Sequence, residues 1–81
     1  MKDEIFKKIA EVISTNNKEI PLEDIHMESS FEQLNMDSLD GITLIADLEN
    51  HYKIILTNEE VAEIKTVGQA VAAIEKHLSQ K

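Results

Sequence analysis

Ser38 is the residue of this chain whose position most needs a chemical explanation. It follows Asp37 at the point where a long connection meets the start of an acidic amphipathic segment. Serine and aspartate are both preferred at the N-cap of a helix, so either residue can serve as the cap. If Asp37 is the cap, Ser38 is the first helical residue. A phosphate on its exposed hydroxyl would then meet free N–H groups and the positive end of the helix dipole. Ser38 is therefore a candidate attachment point for a phosphodiester.

Catalysis by Ser38 itself is not supported. A serine nucleophile needs a histidine base within reach. The three histidines are isolated in sequence, and the chain has no Gly-x-Ser-x-Gly turn. A zinc site is not indicated either, because the possible ligands are dispersed along the sequence: His26, His51 and His77. We therefore expect neither an enzyme nor a metal site.

A calcium site of the EF-hand type is also disfavoured. Asp37 and Glu49 have the spacing of the first and last ligands of such a loop. However, Leu39, Gly41 and Ile42 occupy its third, fifth and sixth positions, where oxygen ligands and then glycine are needed.

The formal net charge of −8 is concentrated in the middle of the chain. Residues 19–63 hold twelve acids and one lysine, whereas residues 1–18 are net +1 and residues 64–81 are net +2. Such a field repels nucleic acid and anionic membranes and steers basic partners toward the protein. We therefore expect a basic protein partner, no nucleic acid and no membrane.

Length and composition predict one domain over residues 1–81. There is no cysteine, and no apolar run approaches the about 20 residues that span a bilayer. Early acids and the lack of an apolar segment argue against a signal peptide at the N-terminus. We expect a cytoplasmic monomer.

Apolar periodicity predicts an all-α fold that begins with a helix over about 2–15 and continues with a long ordered loop over 16–36. Asn16 and Asn17 are expected to end the helix in a left-handed conformation. Ser29 and Glu32 match a capping box and predict a short helical turn around 30–35. The loop is expected to be tied to the core by Leu22, Ile25, Phe31, Leu34 and Met36.

A second helix is predicted over about 38–51, and it has two apolar strips. Successive residues of a helix are rotated by about 100° about its axis. On this basis the predicted core face contains Leu44, Ile45, Leu48 and Tyr52, with Gly41 among them. The second strip consists of Leu39, Ile42 and Ala46; Asp40 and Asp47 lie beyond it, and Glu49 lies between the two strips. This strip, which is edged by acids, is either a contact surface for a partner or is covered by the long loop packing on it.

The remaining chain predicts a connector and two further helices. Residues 53–56 are read as extended, with Ile54 and Ile55 buried. Capping boxes that start at Thr57 and Thr66 predict a short helix over about 58–64 and a last helix over about 67–79. Lys76, His77 and Lys81 near its end complement the macrodipole.

The segment Asp37-Ser38-Leu39-Asp40, followed by Ile42, Leu44-Ile45, Leu48-Glu49 and Tyr52, resembles the Asp-Ser-Leu signature of acyl carrier proteins. The resemblance extends over nearly the whole chain. It includes the acidity, the first helix, the long loop with Phe31 and Leu34, and the Thr66-Val67 start of the last helix. It implies a small four-helix bundle with a short third helix.

The resemblance also implies a function. Ser38 would carry 4′-phosphopantetheine, transferred from coenzyme A by a phosphopantetheinyl transferase, and Asp37 would lie beside the transferase metal site. Acyl groups held on the arm as thioesters would be presented to synthases, reductases or acyltransferases. The second helix would bind these partners through Leu39, Asp40, Ile42, Ala46, Asp47 and Glu49. The acyl chain would be sheltered against Leu44, Leu48, Ile64 and Val71.

The same helix departs from the family's pattern. Thr43 and Asn50 stand where carriers of general fatty acid synthesis commonly have acids. Ala46 stands where a larger residue is common, and Asp47 where a small one is common. These differences leave open a specialised polyketide, lipid or aminoacyl pathway. The alternative to a carrier is a helical adaptor that binds basic partners without a prosthetic group.

Overall fold

The computed structural model describes residues 2–17 and 19–80, so Lys18 of the predicted loop and Lys81 lie outside the described residues. It contains helices α1 (Lys2–Asn16), α2 (Ser38–Tyr52), α3 (Asn58–Glu63) and α4 (Val67–Ser79). A short 3₁₀ turn, Leu22–Asp24, lies in the long loop. The described residues form no strand, only an isolated bridge between Ser30 and Thr66. The all-α fold predicted from the sequence is therefore confirmed.

The core lies between α1, α2 and α4. The apolar residues of α1 recur at helical spacing: Ile5, Ile9 and Ile13 are buried, and Phe6 and Val12 are partly buried. The other members of the buried core are Ala10, Ile20, Ile25, Leu34, Leu44, Leu48, Ile54, Leu56, Val67, Ala70, Val71 and Ile74. No described helix is both long and apolar enough to cross a bilayer.

Reciprocal capping boxes begin α2, α3 and α4. The N-caps are Asp37, Thr57 and Thr66, and each accepts from the backbone N–H three residues later while that residue's side chain accepts from the cap N–H. These bonds satisfy donors that the helix start leaves unpaired. The starts of α3 and α4 are therefore local consequences of sequence.

The long loop differs from the expectation at three places. Leu22 is exposed rather than anchored, because it lies on the 3₁₀ turn, whereas Ile25 and Leu34 are buried. The reciprocal bonds around residues 30–35 join Ser30 to Gln33 instead of Ser29 to Glu32. Ser29 Oγ instead accepts from the His26 N–H.

Left-handed backbone also occurs where it was not expected. It is found at Asn35 and Lys53, not at Asn16 or Asn17. Asn17 N–H instead continues the α1 pattern by donating to the Ile13 carbonyl at 2.9 Å. The end of α1 therefore needs no left-handed asparagine.

Residues 27–31 of the loop pair with residues 65–68 at the start of α4. Gly68 N–H donates to the Met27 carbonyl at 2.8 Å, and Val67 N–H donates to the Ser29 carbonyl at 3.0 Å. Phe31 N–H donates to the Lys65 carbonyl at 3.1 Å. The first-turn donors of α4 thus hold the loop on the bundle.

The connector from α2 to α3 begins with the left-handed Lys53 rather than with extended backbone, and only part of its expected burial is correct. Ile54 and Leu56 are buried, whereas Ile55 is 82% exposed. Side chains of an extended segment alternate in direction, so neighbouring isoleucines cannot both enter the core. The expectation that Ile55 is buried was wrong.

Candidate functional site

Ser38 is the first residue of α2, and it is exposed. The cap is Asp37, whose Oδ1 accepts from the Asp40 N–H at 2.9 Å. Asp40 Oδ2 in turn accepts from the Asp37 N–H at 3.3 Å. Because Asp37 performs the capping, the Ser38 hydroxyl is not needed to start the helix. It stands at the positive end of the α2 dipole, where a phosphodiester is electrostatically favoured.

The second apolar strip of α2 does not pack under the long loop. Leu39 is 69% exposed and Ile42 is 64% exposed, and Ala46 is exposed as well. Leu44 and Leu48 on the opposite side are completely buried. The long loop therefore does not cover this strip. Helix α2 has one buried face and one exposed apolar strip, which begins next to Ser38.

The acids of α2 have internal hydrogen bonds that the sequence did not indicate. Asp40 is half-buried and belongs to the capping box. Asp47 is exposed and accepts from Asn16 Nδ2 of α1 at 3.2 Å. Glu49 is half-buried, and its Oε2 accepts from the Leu56 N–H at 2.9 Å. Of these three carboxylates, Asp47 is thus the most accessible.

The residues expected to shelter an acyl chain lie in or against the core. Leu44, Leu48 and Val71 are completely buried, and Ile64 is partly buried against them. They belong to α2, to α4 and to the linker that follows α3.

The histidines do not gather around Ser38. His26 and His51 are exposed, and His51 meets the ring of Tyr52 edge-on at 4.7 Å. His77 Nε2 donates to Glu60 Oε2 at 2.8 Å, which joins α4 to α3. No three His, Asp or Glu side chains of the described ranges are grouped so that they could hold a metal ion.

Comparison with known proteins decides the family. The family model of the phosphopantetheine attachment site matches residues 5–74. The chain belongs to the acyl carrier protein family. An acyl carrier protein of Lactobacillus acidophilus is 36% identical over 76 residues, which cover 93% of this chain and 94% of that protein. One from Clostridium acetobutylicum is 35% identical over 77 residues, covering 94% of this chain and 99% of the relative.

The fold comparison agrees with the sequence comparison. The crystal structure of an acyl carrier protein from Thermotoga maritima matches with a TM-score of 0.86 and 25% identity, covering 98% of this chain and 92% of that one. Acyl carrier proteins bear 4′-phosphopantetheine and are carriers rather than catalysts. The carrier function and the prosthetic group expected from the resemblance are therefore confirmed at the level of the family.

Sequence reasoning missed the polar contacts that join distant parts of this acyl carrier fold. The bond from Asn16 to Asp47 spans 31 residues, and the bond from His77 to Glu60 spans 17. The third missed contact, between Glu49 and the Leu56 N–H, spans 7 residues. None of the three pairs lies within a single helix, so neither helical periodicity nor a capping motif relates its two residues.

Proposed function

We propose that Ser38 carries 4′-phosphopantetheine and that the chain delivers acyl groups from this arm to biosynthetic enzymes. The observation that carries the proposal is the division of roles at the start of α2. Asp37 supplies the cap, which leaves an exposed Ser38 hydroxyl beside the helix N-terminus. When attached, the arm supplies a terminal thiol that holds acyl groups as thioesters.

The separate enzyme that loads Ser38 is a phosphopantetheinyl transferase that uses coenzyme A. Asp37 is exposed beside Ser38, so we place it next to the metal site of that transferase. Asp37 would then have two roles, since its Oδ1 also accepts from the Asp40 N–H. Its capping bond fixes where the carboxylate stands relative to the serine.

The partner surface consists of the exposed strip of α2, namely Leu39, Ile42 and Ala46, edged by Asp40 and Asp47. Exposed apolar side chains give contact area, and flanking acids steer basic partners and raise association rates. This combination suits a carrier that must bind several synthases, reductases or acyltransferases and leave them again. We leave Glu49 out of this surface because its carboxylate is half-buried on the Leu56 N–H.

An acyl chain on the arm would be sheltered by apolar side chains of α2, α4 and the α3–α4 linker. Leu44, Leu48 and Val71 already belong to the packed core, with Ile64 at its edge. Sheltering therefore requires these side chains to separate. The core that holds the bundle together is then also the binding site for the cargo.

Two kinds of pathway are considered for this carrier: general fatty acid synthesis and a specialised pathway. Thr43, Ala46 and Asn50 are exposed on α2, so these departures from the general fatty acid carriers lie on the accessible part of the helix. They favour partners other than those of general fatty acid synthesis, such as polyketide, lipid or aminoacyl enzymes. We further propose that the protein acts as a monomer in the cytoplasm.

The deciding experiment is intact mass after incubation with coenzyme A, magnesium and a broad-specificity phosphopantetheinyl transferase. A gain of one phosphopantetheine that maps to Ser38 supports the proposal, and Ser38→Ala is the control that must show no gain. An unmodified protein, also after trials with transferases from the same genome, would favour the adaptor. The adaptor further predicts that Ser38→Ala keeps both partner binding and function.

A further inference from the structure

The α2–α3 connector is held by both the backbone and the side chain of a single residue, Glu49. Its backbone carbonyl accepts from the Lys53 N–H and, at 3.1 Å, from the Ile54 N–H. Its side-chain Oε2 accepts from the Leu56 N–H at 2.9 Å. One residue in the last turns of α2 therefore fixes the backbone of residues 53–56.

The chain reversal at Lys53 makes this fixation necessary. The backbone of Lys53 is left-handed, with φ 56° and ψ 48°. Residues other than glycine and asparagine seldom adopt this conformation. Such a conformation persists only when the surrounding structure holds it in place. The bonds to Glu49 act on the residues that immediately follow the reversal.

The register of the connector decides which side chains enter the core. Ile54 and Leu56 are buried, whereas Ile55 between them is 82% exposed. A shift by one residue would bury Ile55 and expose the other two, because successive side chains of extended backbone point to opposite sides. The bond to the Leu56 N–H selects the observed register.

The position of α3 depends on that connector. α3 has six residues and none of them is buried. A helix this short is not stable by itself in water and needs contacts outside its own backbone. Its N-cap Thr57 follows Leu56 directly in the chain, so the place where Leu56 is tied determines where α3 lies against the bundle.

We propose that Glu49 is a positioning residue whose carboxylate, as a hydrogen-bond acceptor, sets the register of residues 53–56 and thereby the place of α3. Its negative charge is not a contact for partner enzymes. The half-buried side chain supports this, because one oxygen is already engaged within the protein. The consequence for loading rests on the proposed carrier function, whereas the structural role does not.

The test uses two substitutions of Glu49 to separate its role as a hydrogen-bond acceptor from the effect of its negative charge. Glu49→Gln keeps an acceptor of the same length without the charge, and Glu49→Met keeps the length and helix propensity without either. Glu11→Gln, which removes one charge from an exposed helical position outside the measured segment, is the matched control. Two properties are measured for each variant: amide hydrogen exchange over residues 53–64, and KM and kcat for loading by the transferase.

We expect Glu49→Gln to keep exchange rates and KM within about twofold of wild type. Glu49→Met should speed exchange at Leu56 and in α3 by roughly tenfold or more, since a half-buried donor loses a charge-assisted bond. It should also raise KM for loading. If Glu49→Met does not fold while Glu49→Gln does, the acceptor role is supported as well.

Two results would overturn the inference. One is unchanged exchange in a folded Glu49→Met. The other is an equal rise of KM in Glu49→Gln and Glu49→Met with exchange unaltered, which would make Glu49 a charged partner contact. If the wild type accepts no prosthetic group at all, the carrier proposal fails, and the exchange measurement still decides the role of Glu49.

Discussion

His77 on α4 donates from Nε2 to Oε2 of Glu60 on α3, at 2.8 Å. The other oxygen of the same carboxylate, Oε1, accepts from the Thr57 N–H at 3.0 Å and completes the cap of α3. Glu60 therefore links the start of α3 to the last turns of α4. Val61 of α3 packs partly buried against the core, so this polar link adds to an apolar attachment of α3 to the bundle.

Replacing His77 by alanine should loosen α3 selectively. Amide exchange over residues 58–63 should rise clearly, while exchange in α1 should change little, because the lost bond joins α3 to α4 and does not involve α1. The thermal midpoint should fall by a few degrees. His51→Ala is the matched control, since this exposed histidine contacts Tyr52 rather than α3, and it should leave α3 exchange unchanged. Equal effects of the two variants would contradict the link.

The same carboxylate should make stability depend on acid pH. The pKa of Glu60 is held below its usual range, first by the hydrogen bond from the Thr57 backbone and then by the one from His77. A depressed pKa contributes stability above the ordinary carboxyl value of 4.5 and loses it as pH falls through the folded pKa.

Urea unfolding of wild type and Glu60→Gln across this acid range measures that contribution. The free energy of unfolding of wild type should exceed that of Glu60→Gln above pH 4.5, and the difference should shrink on acidification. Taking the difference removes the contributions of the other acids, which titrate in both proteins. A difference that is constant with pH would show that Glu60 has no depressed pKa.

Local signals explain how much of this fold the sequence predicts. The caps at Thr57 and Thr66 come from motifs of four residues, and the buried faces of α1 and α4 follow from helical spacing. At the start of α2 the sequence left two candidates for the cap, Asp37 and Ser38, and the structure selects Asp37.

The parts that the sequence does not predict depend on tertiary position. Ile54 and Ile55 are identical residues in adjacent positions, and only the tertiary placement of the connector distinguishes the buried one from the exposed one. Glu60 and His77 pair across two helices, so no short-range pattern marks them. The hydrogen bond of Glu49 was missed for the same reason: its position between two faces of α2 did not indicate that it meets the Leu56 N–H.

The two glycines should respond oppositely to alanine. A Cβ at Gly41, inside α2, would meet no atom within 4 Å, so Gly41→Ala should stabilise the protein by about 0.5–1 kcal/mol through helix propensity. A Cβ at Gly68 would lie 3.0 Å from the Met27 carbonyl oxygen, to which the Gly68 N–H donates. Gly68→Ala should therefore show no gain or a loss.

Urea midpoints of the two alanine variants make this comparison directly, provided that the slope is unchanged. Equal stabilisation by both substitutions would mean that the loop at Met27 yields freely. In that case the pairing between residues 27–31 and 65–68 would not hold the loop on α4.

Tyr52 gives a clean spectroscopic test of packing at the end of α2. It is the only tyrosine, and the chain has no tryptophan, so the ultraviolet absorbance change that accompanies ionisation of the phenol reports on it alone. Burial, and secondly the charge of Glu4, raise the pKa of Tyr52 above 10.0. Glu4→Gln should lower the titration midpoint only in part, since burial remains. A raised pKa also means that stability is retained below 10.0 and lost as pH rises through the folded value.

Substitutions of Asp37 should separate its capping role from its proposed role in loading. Asparagine caps helices as well as aspartate does, so Asp37→Asn should keep the free energy of unfolding nearly unchanged, whereas Asp37→Ala should lose about 1 kcal/mol. Asparagine, however, lacks the charge that a transferase metal site would attract. Loading of Ser38 should therefore slow markedly in Asp37→Asn although the fold is intact, as measured by intact mass over time. If Asp37→Asn loads at the wild-type rate while Asp37→Ala loads slowly, the contribution of Asp37 is to hold the start of α2 in place, and its charge plays no part in loading.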